Sequence, residues 1–549
     1  MSTTEQANNP LPTLVVRDTD DPDVVADAAR DDYAEHVVPR TWRIGRAGMA
    51  FAWSSLLTAM FTVVLAATAA SIVGTADAII GIALASATYG LINYFMQKTA
   101  TTSGLTVGLF SRSLFGYSGA ALVTIVYALT AIWFAVFEGS VVAVALQTYF
   151  GGPIELWYVV VVALSVPLVL GGVRVWLERV NKWLLPIFVA GMVGAVVWAT
   201  LAYGYNPDWA DQPPATTAVL AGPGWLYVFV IYMGIYATMM YTFDFARLAR
   251  PKDITFNGWI TFGPVFYFFS YFINGLIGIY LVAVIPQDGV SEIGVVVSIV
   301  KLMGVFGVIF IFATQTKINT ANLYLASSYL ESFFAQVFKV RLPRWLWAVV
   351  VGVVMLGVMF LDVFSFILQW LSYQGVIIVA WVAIALVQMA YRSRKNASKR
   401  GRLIEFRPGR VPAVNPGGLG AWIISSIVGI ALLTTNSPFG STWALPIAFV
   451  LAGGIYALAL LFARPTWFTL TRPYDPRDEV DDIWEIRVQC HNCKKSYIAV
   501  EMDRDPSSNH QAICSGCANG HSFRAASRHE ADTAMLSASS EPDPLHQAK

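Results

Sequence analysis

Between positions 302 and 330 the chain is apolar except for a few groups that could hold a small polar ligand or a cation: Gln315, Lys317, Asn319 and Asn322. The run is long enough to cross a bilayer as a helix, which takes roughly 20 residues. A lysine at the centre of such a helix costs about 2.5–3.5 kcal/mol by insertion scales, so it needs a partner or a use. Gln315, Asn319 and Asn322 recur at i, i+4 and i+7 and share one helical face, while Ala313, Thr316, Lys317 and Thr320 lie on the opposite one. Little surface is left for lipid. The helix is therefore expected inside a bundle, with a polar cavity or partner on each side, as a transport pathway requires. A second chemical cluster lies near the C-terminus, where Cys490-His491-Asn492-Cys493 and Cys514-Ser515-Gly516-Cys517 contain all four cysteines.

The elements that must position the first cluster are membrane helices. Of the 549 residues 56% are hydrophobic and only 13% charged, a polytopic membrane composition. Apolar runs predict twelve spans at about 47–73, 78–97, 118–149, 154–171, 183–205, 224–243, 257–285, 302–330, 345–361, 364–391, 418–435 and 443–463. An even number puts both termini on one side, and basic loops identify that side as the cytoplasm. Arg40, Arg43 and Arg46 precede span one; Arg174, Arg179 and Lys182 link spans four and five. Arg247, Arg250 and Lys252 follow span six; Lys339, Arg341 and Arg344 follow span eight; a run from Arg392 to Arg410 follows span ten. The alternate links carry Asp77, Glu155, Asp208, Asp211, Asp288 and Glu292, with Lys301 as their one cation. The expectation is a multi-pass plasma-membrane protein with the lipid bilayer as its solvent. Residues 1–40, rich in aspartate and without an apolar core, read as a disordered cytoplasmic tail rather than a signal peptide. Nothing suggests nucleic-acid binding. No Ser-His-Asp set, phosphate loop or open metal site falls within the membrane core, so an enzyme is not expected.

Four stretches carry a family resemblance. Gly104-Leu105-Thr106-Val107 leading to Ser111-Arg112-Ser113-Leu114-Phe115-Gly116 and Gly119, then Ile132-Trp133-Phe134, come first. Thr242-Phe243-Asp244-Phe245-Ala246-Arg247 with Arg250-Pro251-Lys252-Asp253, and the run from Thr316 to Tyr324, complete the set. In this order they resemble the nucleobase–cation symporter family of cytosine, purine, allantoin and hydantoin permeases, over roughly residues 38–465. The resemblance implies an all-α polytopic membrane protein whose core is a five-plus-five inverted repeat of the leucine-transporter type. In that fold spans one and six break at mid-membrane and expose backbone to substrate and cation. Gly234 in span six, and Ser54, Ser55 and Thr58 in span one, fall where such breaks are expected.

The resemblance also implies site residues. Trp133 matches the span-three aromatic on which a planar heterocycle stacks, and Asn322 the span-eight amide that bonds its edge, with Asn319 and Gln315 as further candidates. Gly234, Ile235 and Tyr236 occupy the span-six segment, although Ile235 stands where the family has an aromatic. Phe137 and Glu138 replace the family's span-three amide or glycine. A carboxylate there favours a cationic or donor-rich ring, because when ionised it only accepts hydrogen bonds. The family's sodium site uses span-one carbonyls and two adjacent span-eight hydroxyls, which match Thr316 and Lys317. An ammonium in the second position supplies the charge that sodium would, so proton coupling or uniport is favoured over sodium symport. Two roles for Lys317 stay open: a structural cation paired with Glu138 or span-one carbonyls, or a group that releases and rebinds a proton.

The C-x2-C-x20-C-x2-C spacing of Cys490, Cys493, Cys514 and Cys517 is that of zinc ribbons. Two such knuckles bring four thiolates to a tetrahedron about 2.3 Å from Zn2+, with iron in a rubredoxin-like set as the alternative. A module this small draws most of its stability from the metal. The predicted organisation is a permease domain at 41–465, a linker at 466–483, a β-rich zinc-ribbon-like domain at 484–524 and a disordered tail at 525–549. The functional expectation is secondary active import of a nucleobase or related planar nitrogen heterocycle, with structural zinc, no organic cofactor and a possible protein partner for the zinc module. Two alternatives are a membrane ligand sensor that signals through that module, and a carrier of a small cationic or amino-acid-like substrate.

Overall fold

In a computed structural model the chain is described over residues 11–170, 173–286, 293–340, 342–361, 363–395 and 403–540. Long apolar runs become helices because only intra-segment hydrogen bonding satisfies backbone groups away from water. Among the described residues seven helices are long and apolar enough to cross a membrane, and nine if each of two bent pairs counts as one span. Ile154–Val169 and Trp345–Met359 are shorter apolar helices, and Val305–Val337, which carries the polar run, is not among the nine. Each of the twelve expected segments thus meets a helix, and among the described residues length and composition alone identify up to nine crossings.

The bent pairs are spans one and six. Arg46–Thr58 meets Met60–Val73 at 40°, and Gly224–Met233 meets Ala237–Ala246 at 42°. The backbone groups freed at each break are taken up by neighbouring helices. Gln315 donates from Nε2 to the Thr58 carbonyl (3.2 Å) and accepts from the Met60 amide (3.4 Å), and Asn274 donates to the Leu57 carbonyl (2.9 Å). At the other break Tyr89 donates its hydroxyl to the Tyr232 carbonyl at 2.5 Å. Gly234 has an ordinary φ of −58°, so its use is close approach: a Cβ on Gly375 of span ten would lie 2.8 Å from the Gly234 Cα. In Val107–Phe150 the chain kinks at Gly116, whose φ of +80° and proximity to the Pro412 carbonyl exclude a side chain.

The described N-terminal and C-terminal segments meet at one end of the bundle. Val16–Arg17 (β1), Arg487–Gln489 (β2) and Ser496–Ile498 (β3) form an antiparallel sheet in which Val16 faces Val488 and Val488 faces Tyr497. Asp503–Asp505 (β4) pairs with Gln511–Ile513 (β5). Residues 11–40 are therefore not a free tail. The helix Pro22–Asp31, N-capped by Asp21, packs through Val24 and Ala28 into the core of the C-terminal module. The acidic residues that suggested disorder find fixed partners instead: Asp20 bonds Arg487, Asp21 bonds the Ser496 amide, and Asp27 bonds Lys495. Most of the other expected tail is ordered too, as the helix His521–Ser540; positions 541–549, like 1–10, lie outside the described residues.

The stretch expected as a linker is packed as well. Arg407, fully buried, donates to Asp475 (2.8 Å), Glu405 (2.8 Å) and the Met502 carbonyl (2.7 Å). Arg410 and Arg472 share Asp503 at 3.1 and 2.7 Å. Burial pushes the Asp475 carboxyl up, but the Arg407 guanidinium, with Arg410 and Arg477, outweighs this and holds it at about 2. Removing one partner from a buried ion pair strands the other charge, at about 3–5 kcal/mol. Arg407→Ala is therefore expected to loosen the module from the membrane domain, read as faster proteolysis within 466–483. Unchanged cleavage would place the attachment elsewhere.

Candidate functional site

A cavity lies between the two broken spans and spans three, seven and eight. Span one contributes Leu56, Ala59, Phe61 and Thr62; span three contributes Phe134 and Glu138; span six contributes Ile235, Thr238 and Tyr241. Span seven adds Phe266, Tyr267, Ser270 and Tyr271, and span eight adds Ile318 and Asn322. The walls are aromatic and the polar atoms are few. Such a site suits a flat ring, whose faces stack while its edge meets specific donors and acceptors. Tyr241 donates its hydroxyl to Asn322 Oδ1 (3.4 Å), which fixes the amide. Glu138 is 1% exposed, and its Oε2 has no hydrogen-bond partner. A buried polar atom left unpaired costs about 1–3 kcal/mol, more when charged, which points to a ligand as the missing partner.

Of the residues expected from sequence, the structure brings Glu138, Ile235 and Asn322 to this cavity. The others lie around it. Trp133 stacks on Trp370 of span ten (centroids 4.7 Å apart, 27° between planes). Phe137 sits edge-on to Phe61 and Phe364 at 5.0 and 5.5 Å. Trp133 and Phe137 share a helical face one residue away from that of Phe134 and Glu138, and the latter face is turned to the cavity. Tyr236 packs edge-on to Tyr89 at 5.0 Å, and Gly234 meets span ten. Gln315 serves the span-one break, and Asn319 lies beside Gly139 of span three. Sequence reasoning missed Phe134, which adjoins Trp133, and the span-seven set. Ser270 and Tyr271 fall in a π-helical turn, Phe268–Ile273, a local geometry that no residue pattern announces but that recurs at functional sites.

Lys317 reaches the other side of span eight. Its Nζ donates to Ser54 Oγ at 3.2 Å, and Ser54 is the C-cap of Arg46–Trp53. The ammonium thus stands at the carbonyl end of a broken half-helix, where the helix dipole and unsatisfied oxygens favour a cation. Glu138 and Lys317 form no ion pair; each faces a different feature. Of the two partners left open for Lys317, Glu138 or span one, the contact made is with span one, through the Ser54 hydroxyl. Thr316, matched to the other position of the family's cation set, is half-buried, and its carbonyl accepts from the Thr320 hydroxyl at 2.8 Å.

At the far end, the Sγ atoms of Cys490, Cys493, Cys514 and Cys517 lie within 4.8 Å of one another, and none is in a disulfide. Cys493 and Cys514 are 3.9 Å apart. Four thiolates about 2.3 Å from a tetrahedral ion would be about 3.8 Å apart, so the residues fit a four-coordinate metal.

The fold has solved counterparts. Mhp1, a nucleobase-cation-symport-1 family transporter, in a closed conformation with bromovinylhydantoin bound, superposes with a TM-score of 0.59 at 18% identity, over 79% of this chain and 98% of its own. Mhp1 facing inward gives 0.62 at 15% identity, over 77% and 93%. A Na+-coupled sialic acid symporter gives 0.52 at 16% identity, over 80% and 92%. The chain therefore has the leucine-transporter-type fold of these transporters, with a small β-sheet module added near its C-terminus. No protein-family profile and no curated protein matches the chain.

Proposed function

We propose that this protein is a secondary active transporter that imports a nucleobase or related planar nitrogen heterocycle, coupled to protons rather than sodium. The observation that carries this reading is the aromatic-walled cavity between two broken helices, into which the unpartnered Glu138 carboxyl and the Asn322 amide project. In this reading Phe134 and the span-seven tyrosines pack the ring faces, Asn322 and Tyr241 meet one edge, and Glu138 accepts from N–H donors on another. A ring bearing an amino group beside a ring N–H, or an amidinium, is the preferred ligand. Fold-level likeness to Mhp1, solved with a hydantoin, supports a heterocycle over other solutes. Lys317 holds the cation position at the span-one break, so no sodium is required there. The basic links support a cytoplasmic side for both termini and the four-cysteine module of a plasma-membrane protein, and the cysteine cluster supports a structural Zn2+ there.

A thermal-shift screen of purified protein against cytosine, uracil, purines, allantoin and hydantoins tests this directly. A ligand at 100 times its dissociation constant should stabilise the fold by about 2.7 kcal/mol. No shift with any ring would contradict the reading. The geometry also ranks two neighbouring aromatics. Phe134→Ala should weaken ring binding at least tenfold, since stacking contributes roughly 1–3 kcal/mol per base. Trp133→Ala should chiefly lower the melting temperature, because it removes a stack on Trp370. The reverse ranking in a binding titration would return the site to the Trp133 face.

A further inference from the structure

A second, larger cavity lies between the transport site and the end of the bundle where the described N- and C-terminal segments meet. Tyr241 of the central cavity and Tyr329 of this vestibule both contact Tyr127, at 5.1 and 4.3 Å, so one layer of tyrosines separates the two spaces. Beside residues of membrane helices, its lining includes Asp32, Ala34 and Glu35 of the N-terminal segment.

We propose that the metal-loaded four-cysteine module holds residues 32–37 as a strap across this vestibule, and that loss of the metal releases the strap and opens it. On its inner side the strap is fixed to the transport core: Tyr324 donates to Asp32 Oδ2 at 2.8 Å, and Arg247 donates to the Tyr33 carbonyl at 3.0 Å. Its outer side is seated in the module. Glu501, fully buried, bonds His36 Nδ1 at 2.7 Å and accepts from the Val37 amide at 2.8 Å. The His36 ring stacks on Tyr497 with centroids 4.2 Å apart. Gly516, between the cysteines of the second knuckle, lies so close that a Cβ there would come within 3.0 Å of the His36 ring.

Every element of that seat is set by the cysteines. Tyr497 lies in β3, which follows Cys493, and β3 pairs with β2, which leads into Cys490. Glu501 ends the turn directly after β3, and Gly516 lies between Cys514 and Cys517. The strands are only three residues long, too short to persist unless the knuckles are closed. The strap also has reason to leave once unseated. Asp32 and Tyr33 have φ of +52° and +59°, consecutive left-handed non-glycine residues that persist only where surroundings enforce them. Metal occupancy at the cysteines is thereby linked to access on one side of the transport site. Its effect on flux rests on the transporter reading above, but the opening itself does not.

The test uses the full chain in liposomes, with Ser328→Cys as a reporter inside the vestibule and site-resolved mass spectrometry of maleimide labelling. Labelling is compared in zinc-loaded protein, in protein stripped by a chelator with zinc release quantified, and in zinc-loaded Glu501→Ala. Stripping and Glu501→Ala should each speed labelling by about tenfold or more, as expected when a local closing contact is lost without global unfolding. Ala131→Cys, deep in span three, should stay slow in every arm. An unchanged Ser328→Cys rate after verified zinc release overturns the metal link, and an unchanged rate in Glu501→Ala overturns the strap. If Ala131→Cys accelerates together with Ser328→Cys, the metal supports the whole fold rather than a strap, and the proposal fails. The readout needs no substrate, so a failed heterocycle screen would leave it standing.

Discussion

Lys317→Met is expected to abolish accumulation of substrate against an imposed pH gradient, while the protein stays folded and exchanges bound for free substrate. The side chain reaches the C-terminal end of the first half-helix, where its ammonium bonds Ser54. Methionine keeps the length and removes the charge. The half-helix then ends without a cation near its carbonyls, a loss of about 0.3–2 kcal/mol in dipole and capping terms, too small to unfold a bundle of this size. What disappears is the ammonium at that break, which can carry or mimic the coupling ion. A purely structural lysine would give another pattern: lower melting temperature and weaker binding in parallel, with the accumulation ratio of the surviving protein unchanged. Flux assays and melting curves on the same preparation separate the two.

The second large effect is expected from Glu138→Gln. When ionised beside a cationic or N–H-rich ring, the Glu138 carboxylate offers two acceptor oxygens, which glutamine exchanges for one acceptor and one donor. Hydrogen bonds to a charged group are worth about 1.5–3 kcal/mol, so rings that present adjacent N–H donors should lose roughly 10- to 150-fold in affinity. Rings that present carbonyls at the same edge should lose little or bind better. Isothermal titration of one ring of each kind measures the difference directly. Equal losses for both would mean that Glu138 supports the fold of the cavity rather than selecting its ligand. Because Glu138 and Lys317 face different features and form no ion pair, the double variant should show additive effects on binding, within about 0.3–0.5 kcal/mol. Strong coupling between them would contradict this geometry.

Much of the architecture could be read from residue order, because lipid enforces it. Apolar length gave the helices, Ser54, Ser55 and Thr58 marked one break, and Gly234 marked the other. The four cysteines announced their own cluster by spacing alone. The site was legible only to within one helical position. Trp133 and Phe134 are adjacent, and which of two faces 100° apart turns inward depends on how span three packs against span ten, here through the Trp133–Trp370 stack. The polar face of span eight was read correctly as a face but not as three separate jobs: Gln315 closes a helix break, Asn319 packs on span three, and only Asn322 reaches the cavity. The span-seven contribution was hidden because a π-turn shifts the register of every residue after it. The acidic N-terminal segment misled for another reason. Its composition lacks a core of its own, but its carboxylates and a few apolar residues are complementary to a surface nearly 500 positions away. Composition rules judge a segment alone and cannot see such a partner.

The central claim is that a planar nitrogen heterocycle crosses the membrane through this fold without sodium. Purified protein in liposomes, given an inward pH gradient and a labelled amino-bearing ring in choline or potassium buffer, tests it most directly. The account predicts accumulation above the external concentration, collapsed by a protonophore and indifferent to added sodium. Uptake that appears only when sodium is present would contradict it and would show that Lys317 does not stand in for the cation.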